Sequence, residues 1–102
     1  MSDAPYELRL APASARQLKK LDAQTRDRTL QALRAQGSRA AAARSGRRGG
    51  KRVKALRGRT DRFFRLRVGE YRVMYDVIDE ERTLLVLGVV HRRDLERWLR
   101  GR

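Results

Sequence analysis

The sequence predicts an α+β domain in which an N-terminal strand and a helical hairpin pack on one face of a small antiparallel sheet, closed by a short C-terminal helix. Three observations carry that prediction. Two apolar segments with strand alternation, "RFFRLRV" and "YRVMYDVI", flank Gly69-Glu70, and glycine first in a two-residue loop suits a type II′ hairpin turn. A further run, Leu84–Val90, is apolar on both faces and so belongs at the centre of a sheet. Ahead of them lie two helical segments too short and too one-sided to stand without a sheet beneath them.

The elements follow in order. "YELRL" sets Tyr6, Leu8 and Leu10 against Glu7 and Arg9, the alternation of a strand. Pro12 fits the first turn of a helix whose apolar side carries Leu18 and Leu21. A second helix is predicted to start near Asp22, carry Leu30 and Leu33, and stop at Gly37. The stretch from Gly37 to Arg59 holds nine basic residues and no acidic one. It reads as a basic loop over 37–59, either a solvated surface or an electrostatic tether to a phosphate backbone. After the hairpin, "DEER" turns the chain into the central strand, and "DLERWLR" repeats Leu95, Trp98 and Leu99 at helical spacing. Trp98 reads as a packing residue.

At 102 residues the chain makes one domain spanning 1–102, burying roughly 60–65% of its unfolded surface. Cysteine is absent, which removes disulfides and cysteine-held zinc as staples and suits a reducing cytoplasm. The longest apolar run falls far short of the ~20 residues of a membrane helix, and "MSDAPYELRL" has no signal-peptide pattern. The expected location is the cytoplasm, away from membranes. With 26 basic residues against 12 acidic ones, the net charge is +14. Such a balance calls for an anionic partner.

The turn also fixes a register. Val68 is expected opposite Tyr71, Arg67 opposite Arg72, Leu66 opposite Val73 and Arg65 opposite Met74. Phe64, Leu66, Val68, Tyr71, Val73 and Tyr75 then share the core face, while Phe63, Arg65, Arg67, Arg72 and Met74 share an exposed one. Like charges opposed across strands cost about 0.2–1 kcal/mol, so Arg67 beside Arg72 is a surface that solubility alone does not require. Guanidinium forks with an aromatic ring suit single-stranded RNA. Glycine-rich phosphate loops, nucleophile motifs and metal-ligand clusters are missing, so no cofactor or metal is expected. Arginine stays protonated, so an enzyme built this way would work by stabilising developing negative charge. RNA brings its own nucleophile, the 2′-hydroxyl.

"KALRGR", "FRLRVGEYRVMYDV" and "VLGVVHRRDL", in that order, resemble the RelE/ParE superfamily of bacterial toxins from about Tyr6 to Leu99. "RLRVGEYRV" with "HRRD" is closer to the RelE branch. The resemblance implies the toxin of a type II toxin–antitoxin system, a ribosome-dependent endoribonuclease that cuts mRNA in the A site without a metal. Matched residue by residue, the family's catalytic basic positions fall on Arg65, Arg72 and Arg92. A further basic position falls on Phe63. The late tyrosine has no equivalent; Glu96 stands in its neighbourhood, with Trp98 close by. His91 and Glu96 are the candidate proton-transfer groups. Phe63, Arg67, Lys51, Arg52, Lys54 and Arg57 are expected to contact RNA. The implied partners are an acidic antitoxin, through which oligomers would form, and mRNA and ribosomal RNA on the 70S ribosome. Two alternatives remain: a gyrase inhibitor of the ParE kind, or a catalytically degenerate nucleic-acid-binding member of the fold.

Overall fold

The computed structural model describes residues 4–46 and 63–101. The elements are β1 (Glu7–Leu10), α1 (Pro12–Lys19), α2 (Ala23–Gly46), β2 (Phe64–Val68), β3 (Tyr71–Ile78), β4 (Thr83–His91) and α3 (Leu95–Arg100). Single turns of 3-10 helix, Asp79–Glu81 and Arg92–Asp94, precede and follow β4. The sheet order is β1-β4-β3-β2, so β4 is central, as its two apolar faces require. The β2–β3 register is the expected one, from Phe64 opposite Tyr75 to Val68 opposite Tyr71. The strands β2, β3 and β4 are antiparallel, whereas β1 lies parallel to β4 with Leu10 opposite Val86. Among the described residues no helix is long and apolar enough to cross a membrane.

The α1–α2 hairpin covers one face. Leu33, Val73, Leu84 and Val86 are fully buried there, with Val68, Tyr75 and Val89 nearly so. Each such side chain contributes about 1.5–3 kcal/mol on burial. Pro12 opens α1, and the buried Ser14 donates its hydroxyl to the carbonyls of Ala11 (2.9 Å) and Val86 (2.8 Å). Where β1 stops, Gln17 takes over: its Oε1 accepts the Val89 N–H at 2.7 Å. The Asp22 carboxylate accepts the Thr25 N–H at the start of α2, and hydrogen bonding from Thr25, its side chain foremost, holds that carboxyl below the usual range.

Three expectations need correction. The helix α2 runs through Gly37 to Gly46, because the alanine-rich segment after Gly37 favours helix. Gly37 marks a close approach rather than a stop. Its carbonyl accepts the Tyr6 N–H at 3.2 Å, and a Cβ there would sit 3.1 Å from the Tyr6 carbonyl oxygen. The expected basic loop therefore begins as helix, and its part from 47 to 59 lies outside the described residues. Second, the arginine face is not bare. Met74 is fully buried, and Phe63 packs edge-on against Trp98, with centroids 5.6 Å apart. The helix α3 lies over this part of the sheet because Gly88, opposite Met74, leaves room for the indole. Third, Phe64, expected in the core, is 44% exposed, stacked on Tyr75 in the edge strand.

A Cβ on Gly88 would meet the Trp98 ring at 2.6–2.8 Å. Gly88→Ala should therefore displace α3 and lower stability by about 1–3 kcal/mol, the usual cost of overpacking. Trp98 is the sole tryptophan, so a red shift of its emission alongside a lower Tm is the expected readout.

Candidate functional site

The β2–β3 turn organises the candidate site. Gly69 has φ +60°, and Arg82 is the only described non-glycine residue with positive φ. Glu70 therefore lies at negative φ, as a type II′ turn requires. Arg72, next but one, folds back so that Nη1 donates to the carbonyls of Gly69 (3.2 Å) and Tyr71 (3.1 Å). From the other side the chain leaving β4 meets the same turn. The Arg92 N–H donates to the Glu70 carbonyl at 2.7 Å, and Arg92 Nε lies 2.7 Å from Glu70 Oε1. Two arginines that are twenty residues apart in sequence thus share one scaffold.

Between them lies an open depression of about 450 Å³ lined by Arg72, His91, Arg92, Arg93 and Leu95. The His91 Nδ1 accepts the Arg93 N–H at 3.2 Å, which places the proton of the neutral ring on Nε2. Its ring meets Tyr71 edge-on at 5.4 Å. His91 and Arg93 also line a second groove of about 520 Å³, which runs past Lys20, Tyr71 and Trp98 between α1 and α3. The two hollows meet at these residues. Every charged group lining the first one is a cation or can become one, so it is suited to an anion with several oxygens.

The structure brings Arg72, Arg92 and His91 together. Arg65 and Arg67 stand exposed on β2, Arg67 opposite Arg72 and Arg65 opposite the buried Met74. They continue the positive strip without lining the depression. Phe63 is half-buried against Trp98, so its ring is engaged in packing rather than displayed. Glu96 is exposed on α3 and does not line the depression. Lys51, Arg52, Lys54 and Arg57 lie outside the described residues. Two contributors escaped the sequence reading. Arg93 stands beside Arg92 in "HRRD", and the doubled arginine is the signal that points to it. Glu70 read only as a turn residue, since nothing in its local pattern points to Arg92.

The sequence matches the model of a family described as the ParE toxin of the type II toxin–antitoxin system parDE, over residues 8–96. A search among curated proteins finds no match. Among solved structures, the toxin–antitoxin complex RelBE of E. coli is similar, with 27% identity and a TM-score of 0.51 over 84% of this chain and 95% of that one. The E. coli toxin RelE, in the free state with two arginines replaced by alanine, gives 25% identity and 0.54 over 92% and 90%. The RelE–RelB complex of Pyrococcus horikoshii has the higher TM-score, 0.60, over 86% and 96%, at 19% identity, a likeness of fold.

The contacts of Arg72 set an expectation for its removal. Its two hydrogen bonds run to turn carbonyls near the surface, while its loss relieves the opposition of Arg67. Arg72→Ala should thus change stability by less than about 1 kcal/mol, leaving the thermal melt cooperative and the Tm within a few degrees of the parent.

Proposed function

Since the chain belongs to the ParE toxin family of type II toxin–antitoxin systems, we propose that its arginine-lined depression is the site of a toxin that cleaves mRNA on the translating ribosome. The observation that carries this reading is the convergence of Arg72 and Arg92, with His91 and Arg93, on one open depression. In the reaction the 2′-hydroxyl attacks the adjacent phosphorus, forming the O2′–P bond as the P–O5′ bond breaks. Negative charge builds on the non-bridging oxygens. Arg72 and Arg92 neutralise it, held in place beforehand by the turn so that little reorganisation accompanies the reaction. Of the two candidate proton-transfer groups His91 is favoured over Glu96, because only His91 lines the depression. The Arg93 N–H occupies Nδ1, so the neutral ring carries its proton on Nε2; for Nε2 to take the 2′-hydroxyl proton the ring would first release that contact and move its proton to Nδ1. Arg65 and Arg67 extend the cationic strip along β2 to hold the flanking strand.

The family pairs its toxins with antitoxins, and the E. coli RelBE structure is such a complex. For this chain we take the antitoxin to be acidic, covering the arginine strip and associating fast and in a salt-sensitive way. The family match itself favours a second reading, a gyrase inhibitor of the ParE kind.

Cell-free translation and gyrase supercoiling, run side by side, separate the two. The purified toxin should arrest translation, with new mRNA ends detected by primer extension, and leave supercoiling untouched. Arg72→Ala and Arg92→Ala should each slow cleavage by about 10²–10³-fold, the usual cost of deleting one preorganised donor. Lysine at either position should restore only part of the rate, since a point charge lacks the fork. Blocked supercoiling with normal translation would overturn the ribonuclease reading.

A further inference from the structure

The groove between α1 and α3 has a composition that phosphate capture does not require. Tyr71, Val89 and Trp98 give it apolar walls, while Gln17 and Asp94 supply polar edges. At about 520 Å³ it has the size of a small-molecule site rather than of a lone phosphate. His91 and Arg93 line both this groove and the depression, so a ligand held by its phosphate in the depression extends directly into the groove. A nucleotide has that form: an anion and, one sugar away, a flat apolar face with a polar edge. Gln17 gives the polar rim a direction. Its Oε1 accepts the Val89 N–H at 2.7 Å, which fixes which way round the amide lies. The two N–H donors of Nε2 find no acceptor among the described residues and are available to a ligand. Asp94 adds an acceptor; its Oδ1 lies 3.3 Å from Arg97 Nη2. A carboxylate in the wall opposes an acidic protein segment as occupant, whereas a base can donate to it.

We infer that the groove is a nucleobase subsite: the base joined to a phosphate in the depression stacks against its aromatic wall, and the Gln17 amide donates to the base edge. This rests on the ribonuclease reading for its RNA. Stacking tolerates every base, so the choice among them falls to the rim. A donor at Gln17 with an acceptor at Asp94 suits guanine and uracil, whose Watson–Crick edges set a carbonyl beside an N–H. Adenine and cytosine present an amino group beside a ring acceptor, the reverse pattern.

The test follows the emission of Trp98, the sole tryptophan, in a groove wall. The probes are the four nucleoside 3′,5′-bisphosphates, which carry phosphate on either side of the base, and their abasic analogue. The guanosine and uridine compounds should quench Trp98 and bind about tenfold more tightly than the abasic one. They should also exceed the adenosine and cytidine compounds by about fivefold, the scale of one net hydrogen bond. Gln17→Glu keeps an oxygen for the Val89 N–H and replaces the donors by an acceptor. Its Tm should stay within a few degrees of the parent, and its preference should turn toward adenosine and cytidine. The added charge lowers every affinity alike, so the ratio between bases is the readout. Equal binding of the abasic analogue, or a preference unchanged in Gln17→Glu, would overturn the inference. Quenching by a peptide of alternating glutamate and leucine, with none by any nucleotide, would assign the groove to a protein segment and overturn it too. The titration needs no cleavage. If the wild type cuts no mRNA but guanosine and uridine bisphosphates still quench Trp98, the ribonuclease reading fails and the subsite stands. If mRNA is cut and no nucleotide quenches, the subsite alone falls.

Discussion

A central strand that is apolar on both faces must be covered on both, and in a domain this small the cover determines almost everything else. In β4, Leu84, Val86 and Val89 face the helical hairpin, while Gly88 on the other face admits Trp98. The hairpin uses up one side of the sheet. The short α3 can shield only part of the other, from Phe63 across Met74 to Gly88. Among the described residues, what remains open is the strip along β2 and the tip of the β2–β3 hairpin, and that is where Arg65, Arg67 and Arg72 stand. The shift in register between Met74 and Tyr75, with Leu87 as the extra residue on β4, lets one strand serve both packings.

The open strip tolerates an arrangement that a neutral surface would avoid. Arg67 faces Arg72 directly, and Arg72 answers by turning its guanidinium to backbone carbonyls of the turn. The same turn carries the Glu70 carboxylate, which forms an ion pair with Arg92. Positive charge is thus concentrated and at the same time given fixed directions. A phosphate needs both, since attraction alone does not align a fork with its oxygens.

The hairpin's register was readable from the sequence residue for residue, because a two-residue loop with leading glycine leaves one pairing; the faces were not, since alternation placed Phe64 in the core and it is exposed. Fold class, the central place of β4 and the α1–α2 hairpin followed from equally local patterns. What escaped was set by tertiary contact. Gly37 looked like a helix stop because glycine often is one; its function is to let α2 approach the Tyr6 backbone, twenty-odd residues of helix notwithstanding. Met74 and Phe63 alternate as surface residues, yet Met74 is fully buried opposite Gly88 and Phe63 packs against the indole arriving from α3. The parallel pairing of β1 leaves no trace in its alternation. At the site, Arg72 and Arg92 were legible as charges in suggestive places, but the turn that joins them was not, since the Glu70 contact spans two elements.

The parallel pairing of β1 with β4 has a kinetic side. In β2–β3–β4 each strand finds its neighbour across a short turn, and such hairpins close within about 1–10 μs. The strand β1, synthesised before any of them, pairs with β4 across more than seventy residues and must wait for a long loop to close. The frame that carries Arg72, Glu70 and Arg92 is therefore the quick part of the molecule. The N-terminal strand, tied down by Tyr6 to Gly37 and by Glu7 to Arg82, is the late arrival that seals the domain.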